Sequence, residues 1–514
     1  MIALRIKNLR GFTDTNEILL RDINLFVGQN SSGKSTFLRT FPLIRQSIIR
    51  ETRGPILWYD DTLVDFGSYE EAKKRYSSKD EGISFGFKLH INSPIHRYFY
   101  AERLRLKKDT VANIEIEIFE KNKENYIENV IIKIEDQIIE ITASHDGSVK
   151  SFRVNGVNML FPDSSHLFRK TSTTGIIPSY LIFNKSNNKY ITKEYFLIKC
   201  KEKIKSIIGN RLKNEHRIDK IVNDTIIGSK DTILHSLKRQ NSIATWSKKI
   251  VGWDIENPNF IELNNIIIAH NTASLLTTID SDLRSYFIEC KYIAPIRAKA
   301  LRYHRRQDLS ISEVDANGDN LHMFLDNLNL KQKESYQEFV KSIFGFTALT
   351  DSSLGHITIN VINSIGEKYN LTDLGFGYSQ ILPIITKLWY AFSNNDIKYK
   401  QFDNKSKLVT ILIEQPELHL HPSMQAQLAD AFIVAIQMAK KNDVNLRLII
   451  ETHSTVIINR IGRRIVEDKI SSNSVNVTLF ELDNEEKNSI VRTTEFNDNG
   501  VLKNWPLGFF EPKN

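Results

Sequence analysis

Residues 28–35 read GQNSSGKS, which matches the pattern GxxxxGK[ST] of phosphate-binding loops. In this pattern the glycines let the backbone wrap so that its N–H groups point at phosphate oxygens, and the following helix N-terminus adds positive potential. Lys34 is expected to reach the β- and γ-phosphates, and the Ser35 hydroxyl to ligate Mg²⁺. The spacing therefore predicts a nucleotide phosphate site formed by Asn30, Ser31, Gly33, Lys34, Ser35 and Thr36.

A second chemical signal is the segment LVTILIEQPELHLHP at residues 408–422, in which an apolar run ends at Glu414. A buried strand that ends in a carboxylate is a usual way for a P-loop protein to hold Mg²⁺ opposite the phosphates. We therefore expect Ser35 and Glu414 to bind the metal ion. His419 and His421 would share one side of a strand, but the sequence offers no third ligand, so a separate metal site is not expected there.

Two further segments contain residues that suit phosphate recognition. The run LRLIIETHS at 446–454 ends close to His453, which can sense a γ-phosphate by a hydrogen bond. A lone histidine after a strand is more often structural, and the neighbouring phosphate motifs reverse that preference here. The other segment is GFGYSQILP at 375–383, where glycines permit close backbone approach and a tight loop before a helix is an equally good explanation. Its candidate ligand-binding residues are Gly375, Gly377, Ser379 and Gln380.

The elements that must position these residues can be predicted from hydrophobic periodicity. Short apolar runs at 23–27, 407–413 and 445–450 are typical of buried parallel strands. A helix is expected after the phosphate loop, with Pro42 kinking or ending it, and another at 422–440, which completes a βαβ unit. The fold class is therefore α/β.

Four segments of the chain differ in character. Residues 1–82 contain the phosphate loop, 83–190 show the alternation of β-strands, 191–290 are mostly helical, and 291–514 contain the other motifs. The net charge is +8, and residues 191–250 alone contain 14 Lys or Arg against 6 Asp or Glu. This excess permits a polyanionic partner, although a solvated helix face explains it equally well.

The order of the four motifs resembles the ATPase head of the ABC class of P-loop proteins, in the branch shared by SMC, RecF and OLD-like ATPases. The resemblance rests on IKNLRGF, INLFVGQNSSGKST, GFGYSQILPI, IEQPELHLHP and ETHS, and it covers about residues 1–50 and 290–514. It implies an ABC-type head, a mixed sheet with a P-loop, interrupted by a β-rich and a helical insertion. It also implies ATP and Mg²⁺ as cofactors, with ATP held between the phosphate loop of one subunit and residues 375–380 of a second, in a homodimer or larger assembly.

One position departs from the pattern of this family. ABC-type heads usually have an acid followed by a catalytic Glu, whereas this chain has Glu414 followed by Gln415. A glutamine cannot accept a proton as a carboxylate does, so we expect slow hydrolysis or stable ATP binding. Two alternatives remain open: Glu417 could reach the attacking water, or Gln415 could orient that water, as a glutamine does in small GTPases. Whether the chain acts as an enzyme depends on these positions and on the γ-phosphate sensor His453.

Two functions from different classes are compatible with these features. The tail NDNGVLKNWPLGFF at 497–510 resembles a segment of standalone bacterial ATPases, including ATPase subunits of Septu and retron-associated Septu defence systems. This favours an ATP-bound regulatory scaffold of an anti-phage complex that controls a separate HNH-type nuclease. The alternative is a DNA-repair or maintenance ATPase that clamps nucleic acid through residues 191–250 and 297–306, where Tyr303 is interleaved with basic side chains.

Several other classes are excluded or disfavoured. OLD relatives that are nucleases carry a further acidic domain, and only 61 residues follow His453, so we expect a separate nuclease. No apolar run is long enough to cross a membrane, and charges at Arg5, Lys7 and Arg10 interrupt any signal-peptide core. Cys200 and Cys290 form no CxxC pair. A cytoplasmic protein without a membrane partner is the simplest expectation.

Overall fold

A computed structural model describes residues 1–91, 104–160, 165–169, 175–184, 189–209, 215–240, 244–297, 299–393, 407–483 and 488–505. Its strands are β1 (Ala3–Leu9), β2 (Phe12–Asp14), β3 (Ile18–Leu19), β4 (Ile23–Gly28), β5 (Ile83–His90), β6 (Val111–Lys121), β7 (Glu124–Ile134), β8 (Gln137–Ala143), β9 (Val149–Val154), β10 (Val157–Asn158), β11 (Ser165–Arg169), β12 (Ser179–Asn184), β13 (Lys189–Tyr190), β14 (Cys290–Ile293), β15 (His304–Arg305), β16 (Thr347–Ser353), β17 (His356–Ile362), β18 (Lys368–Asn370), β19 (Lys407–Glu414), β20 (Val444–Glu451), β21 (Val475–Asp483) and β22 (Asn488–Thr494).

The helices of the described residues are α1 (Lys34–Ile49), α2 (Tyr69–Ala72), α3 (Thr192–Ile208), α4 (Glu215–Asn223), α5 (Lys230–Lys238), α6 (Ala244–Ile250), α7 (Pro258–Ile288), α8 (Leu321–Asp326), α9 (Leu330–Phe344), α10 (Phe376–Ser393), α11 (Pro422–Lys441) and α12 (Thr455–Val466). Two short 3₁₀ helices lie at Leu371–Asp373 and Ser472–Ser474. Within the described ranges, no helix combines the length and apolar character that crossing a membrane requires.

The chain forms two compact units that alternate along the sequence. The first contains residues 1–9, 47–58 and 67–285, and the second contains 10–46, 59–66 and 286–514. The predicted segment 1–82 is therefore divided between the two units. Every motif of the sequence analysis that suits phosphate recognition lies in the second unit.

The first unit is built on an antiparallel sheet with strand order β10-β9-β8-β7-β6-β5-β1. In β6 the side chains of Ile114, Ile116 and Ile118 are buried, while Glu115 and Glu117 between them are only partly buried. This alternation is the pattern expected of a strand with one face on the core. Helices α3 to α6 and residues 258–285 of α7 follow in the same unit.

The second unit contains a mixed six-stranded sheet of order β14-β19-β20-β4-β21-β22. Its first five strands are parallel, and β22 pairs antiparallel with β21. All six residues of β4 are buried. This is expected of a parallel strand that is covered on both faces, and it explains why the strand reads as a mostly apolar run. Strand β20 lies between β4 and β19. The carboxyl ends of these three parallel strands, each followed by a motif, are therefore neighbours. The mixed α/β fold predicted from the sequence is confirmed.

Helix α1 continues past Pro42 to Ile49, so of the two predicted effects of this proline, a kink or an end, the end does not occur. Proline removes one backbone donor from a helix. Here the side chains on either side of it, Phe41, Leu43 and Ile44, are fully buried, and this packing favours continuation of the helix.

The C-terminal tail is described only as far as residue 505, so the predicted segment at 506–510 lies outside the described residues. Within the described part, Leu502 and Trp505 are partly buried against the core of the second unit. These two contacts attach the described part of the tail to that core.

Candidate nucleotide-binding site

The phosphate loop lies between the end of β4 and the start of α1. A Cβ at Gly28 would lie 2.1 Å from the Phe480 carbonyl oxygen, and one at Gly33 would lie 2.5 Å from the Phe12 ring. Gly33 also has φ of +97°, a conformation that glycine adopts without strain. Both glycines of the motif are therefore required by close packing beneath the loop.

Lys34 lies inside this loop. Its Nζ donates hydrogen bonds to the carbonyl oxygens of Gly28 at 3.1 Å and Gln29 at 2.6 Å, and the side chain is buried. Burial lowers the pKa of Lys34, while the nearby carboxylates of Glu451 and Glu417 act to raise it. A buried cation at a helix N-terminus is a suitable environment for a phosphate.

Glu414 ends β19 as predicted, and its carboxylate accepts hydrogen bonds from two side chains. Arg39, on α1, donates to both oxygens at 2.7 and 2.8 Å, and the Tyr292 hydroxyl donates to Oε1 at 2.8 Å. The hydrogen bond to Glu414 raises the pKa of Arg39. Glu414 is only 2% exposed, so this bidentate pair stabilises a carboxylate that would otherwise be buried without a counterion.

Ser35 is paired with a residue to which the sequence analysis assigned no role. Its Oγ donates to Oε1 of Glu451, the last residue of β20, at 2.8 Å. The sequence predicts that Ser35 and Glu414 both bind the metal ion; in the structure the Ser35 hydroxyl donates to Glu451, and Glu414 accepts from Arg39 and Tyr292. Burial, and secondarily the charge of Glu414, raises the pKa of Glu451 to about 7.

Gln415, Glu417 and His453 lie around the ends of β19 and β20. Gln415 has φ of +42° and its backbone N–H donates to the Glu451 carbonyl oxygen at 2.9 Å. The Glu417 carboxylate accepts from the Thr452 hydroxyl at 2.8 Å and from the His453 backbone N–H at 2.7 Å. Burial raises the pKa of Glu417. The pKa of His453 is lowered by burial and by the charge of Lys34, so its imidazole is neutral at pH 7.

A buried arginine lies beside the residues at the ends of β19 and β20. Arg297 follows β14 and donates from Nη2 to the Glu414 carbonyl oxygen at 2.9 Å. Burial lowers its pKa to about 10, against the opposing charges of Glu417 and Glu414. Its Nε and Nη1 atoms have no hydrogen-bond partner among the described residues. The sequence predicts Arg297 as part of the basic cluster at 297–306, but the side chain is 3% exposed.

Residues 375–380 form the start of a helix rather than a loop, because α10 begins at Phe376. Gly375 and Phe376 are exposed, whereas Ser379 and Gln380 are buried. The Ser379 hydroxyl donates to the Phe376 carbonyl oxygen at 2.8 Å. Gly377 approaches the His419 carbonyl, which a Cβ would contact at 3.3 Å. Among residues 375–380, Gly375 and Phe376 are therefore the ones most accessible to a ligand.

The histidine pair at 419 and 421 acts in local structure. His421 is the N-cap of α11, with its ring Nδ1 accepting from the Ser423 backbone N–H at 3.3 Å. His419 is exposed and has φ of +61°. Across the part of the chain that the structure describes, no group of three or more potential ligands is placed to hold a metal ion.

Three residues of the site, Arg39, Tyr292 and Glu451, were not functional candidates in the sequence, and Arg297 was a candidate only for nucleic-acid contact. A signal for one of them was present. The run LIIE at the end of β20 repeats the pattern ILIE at the end of β19, and residues 414 and 451 are paired in register. Adjacent parallel strands that both end in Glu predict neighbouring carboxylates.

A phosphate loop at the end of a parallel strand, with carboxylates ending the next two strands, defines a P-loop ATPase domain. The profile of the family AAA_15, described as an AAA ATPase domain, matches residues 1–458. The chain belongs to this family.

Part of the chain is also similar to Endonuclease GajA from Bacillus cereus (strain HuB5-5), at 35% identity over 88 residues. The matched stretch is 16% of this chain and 12% of GajA. Among solved structures, an SMC head bound to the C-terminal winged-helix domain of ScpA has a TM-score of 0.32 at 11% identity, covering 96% of this chain and 97% of that one. The SMC head domain from Thermotoga maritima has a TM-score of 0.31 at 9% identity, covering 96% and 98%.

Proposed function

We propose that this chain binds Mg-ATP at residues 28–36 and hydrolyses it slowly or not at all, so that ATP acts mainly as a structural ligand. The observation that carries this proposal is the pair Glu414-Gln415 at the end of β19. Glu414 is neutralised by Arg39, and the next residue is an amide that cannot accept a proton. Neither residue supplies a free general base to an attacking water.

The residues present fit a nucleotide phosphate and its metal ion. The buried oxygen Oε2 of Glu451 has no hydrogen-bond partner among the described residues, and Lys34 supplies a positive charge inside the loop. A bound Mg²⁺ would neutralise charge on the phosphates. In this arrangement Lys34 binds phosphate, Ser35 supplies a hydroxyl oxygen and neutral His453 offers a hydrogen bond to the γ-phosphate.

Glu417 is the remaining carboxylate near the position of a catalytic base. It accepts two hydrogen bonds from residues 452 and 453, so it holds the segment that carries His453 in place. A carboxylate has about four acceptor sites, so these two bonds leave capacity for a proton. In this proposal Glu417 is a positioning residue for His453, and the Glu417→Gln variant described below tests it as a base.

We propose that ATP holds two copies of the chain together. The exposed Gly375 and Phe376 at the N-terminus of α10 would face the nucleotide of the second copy, with the positive end of this 18-residue helix directed at its phosphates. Ser379 and Gln380 would support this turn from within the core rather than contact the nucleotide.

The biological role that we propose is a regulatory scaffold in a cytoplasmic anti-phage defence complex of the Septu type, including retron-associated forms, which controls a separate HNH-type nuclease. The similarity to GajA, an endonuclease by name, supports a link to nuclease systems over 88 residues. In this proposal ATP-bound oligomers hold the nuclease in check, and loss of ATP releases it.

The second candidate is an ATP-dependent clamp on nucleic acid, favoured by the surface near residues 299–306. Lys299, Arg302, Arg305 and Arg306 are exposed, and Tyr303 is 60% exposed between them. Such a surface suits stacking and phosphate contacts. Both basic stretches are partly neutralised. Arg302 and Arg306 form ion pairs with Asp373 and Asp326. In 191–250, Lys201 and Lys203 form ion pairs with Asp219 and Glu262.

The test follows the fate of ATP and the native mass of the purified chain together. Intact ATP retained for hours in a defined oligomer, and lost with its oligomer in Lys34→Ala, is the expected result. Gln415→Glu should then increase ADP production. Steady ADP production by the unaltered chain that is abolished in Glu417→Gln would contradict slow turnover. A steep fall in DNA affinity with salt, reduced by Arg305→Ala, would favour the clamp.

A further inference from the structure

Two carboxylates compete for the role of metal ligand in the proposed nucleotide site. Glu414 and Glu451 end neighbouring parallel strands and are directly paired in register. Both are 2% exposed. The sequence pattern favours Glu414 as the metal ligand, because it is the carboxylate that ends the apolar strand before residues 415–417. The hydrogen bonds of the two carboxylates distinguish them.

Glu414 has little capacity for a cation. Three donor atoms occupy its two oxygens: Nε and Nη2 of Arg39 and the hydroxyl of Tyr292. A divalent ion at this carboxylate would have to displace a bidentate guanidinium or lie beside its positive charge. Charge-assisted bidentate pairs are among the strongest hydrogen bonds in proteins, so this displacement is unfavourable.

Glu451 has the opposite arrangement. Its Oε1 accepts a single hydrogen bond from the hydroxyl of Ser35. Its Oε2 is buried and has no hydrogen-bond partner among the described residues. A buried polar atom without a partner costs free energy, and a cation at this oxygen would remove the cost. A hydroxyl and a carboxylate are also the oxygen ligands that Mg²⁺ prefers.

We propose that Glu451 and Ser35, rather than Glu414 and Ser35, hold the divalent cation that accompanies the nucleotide. Glu414 is then a positioning residue, which fixes the end of β19 through Arg39 and Tyr292. This inference rests on the proposed binding of Mg-ATP. It assigns the metal to the strand that lies directly beside the phosphate loop, since β20 pairs with β4.

The test compares Glu451→Gln with the matched variant Glu414→Gln in the full chain, with Mn²⁺ as the probe. Binding of Mn²⁺ in the presence of ATP is measured by electron paramagnetic resonance, and ATP binding in EDTA is measured separately. Glu451→Gln should weaken Mn²⁺ binding about tenfold or more and leave ATP binding in EDTA within about threefold. Glu414→Gln should change Mn²⁺ binding less than about threefold.

A change of metal preference in cysteine variants provides a second measurement, which does not depend on the folding of the glutamine variants. Because thiolates favour soft metals, Glu451→Cys should bind Cd²⁺ with ATP more tightly than Mn²⁺, and Glu414→Cys should not. Loss of Mn²⁺ binding in Glu414→Gln with retention in Glu451→Gln would overturn the assignment. If the unaltered chain bound no ATP, neither in the presence of EDTA nor in the presence of Mn²⁺, both the proposed function and this inference would be wrong.

Discussion

Each compact unit contains a buried polar network, and the two networks differ in charge. In the first unit the amides of Gln137 and Asn264 exchange two hydrogen bonds of 3.1 Å, and Asn155 donates to Gln137 and Asn265 at 2.7 and 2.8 Å. In the second unit the network is ionic, with Arg39 and Glu414 at its centre. The amides satisfy one another without needing a charged partner.

The ionic network of the second unit leaves polar atoms open. Glu451 Oε2 and two nitrogens of Arg297 have no partner among the described residues. Groups of this kind are expensive to bury unless a ligand completes them. We infer from this comparison that the neutral network stabilises the fold. The ionic network lowers the stability of the fold and leaves polar atoms available to bind a ligand. The following predictions test this contrast.

The largest effect is expected from breaking the Arg39–Glu414 pair. Arg39→Met leaves the buried Glu414 carboxylate with only the Tyr292 hydroxyl, so the free energy of unfolding should fall by about 3 kcal/mol or more. Chemical denaturation measures this change. The matched control is Arg463→Met, which removes an exposed pair with Glu467 and should cost about 0.5 kcal/mol or less.

The double variant Arg39→Met with Glu414→Gln separates charge from packing. If the cost comes from an unpaired buried carboxylate, neutralising Glu414 should recover at least half of the lost free energy of unfolding. Equal destabilisation in the single and double variants would mean that the Arg39 side chain stabilises mainly through packing, and the ionic account of this site would be wrong.

A second prediction concerns pH and the ion cluster that supports Tyr292. Arg45 contacts both oxygens of Glu313 at 3.1 and 2.7 Å, and Lys291 lies at 2.9 Å. Lys387 donates to the Tyr292 carbonyl oxygen at 2.6 Å. Burial alone would raise the pKa of Glu313, but Arg45, Lys291 and Lys387 together hold it at about 2.

Because this pKa is lower in the folded chain than its ordinary value of 4.5, ionised Glu313 stabilises the fold above pH 4.5. That stabilisation is lost as the pH falls toward 2. Glu313→Gln should therefore lower the free energy of unfolding by about 2 kcal/mol at pH 7, and the difference from the unaltered chain should shrink as the pH falls below 4.5. A constant difference from pH 7 to pH 3 would contradict the ionic assignment.

The contrast between the networks also explains what could be predicted from the sequence. Local signals were sufficient for β4, β19 and β20, because buried parallel strands are continuous apolar runs, and for the phosphate loop, because its glycines and lysine have fixed spacing. Arg39 could not be predicted, because its partner lies 375 positions away. No local pattern specifies an ion pair between a helix and a strand that only the fold brings together.

The same reasoning applies where local signals left the outcome open. Pro42 is a local signal for a kink or an end of a helix, and tertiary packing favours continuation of α1 past it. Glu414 was located at its strand end, but its partners depended on α1. The glycine-rich segment at 375–380 indicated irregular backbone, yet α10 begins inside it. In each case the residue type indicated where a helix or strand begins or ends. The contacts of the side chain depended on residues far away in the sequence.

The smallest effect is expected in the amide network of the first unit. Asn264→Leu leaves the buried amide of Gln137 without its two-bond partner, which should lower the free energy of unfolding by about 1 to 2 kcal/mol. Since no member of this network titrates, the loss should be the same from pH 5 to pH 8. ATP binding should be unchanged. Denaturation at several pH values, with ATP binding measured in parallel, decides the matter: a pH-dependent loss, or weakened ATP binding, would mean that the neutral network is not confined to stability.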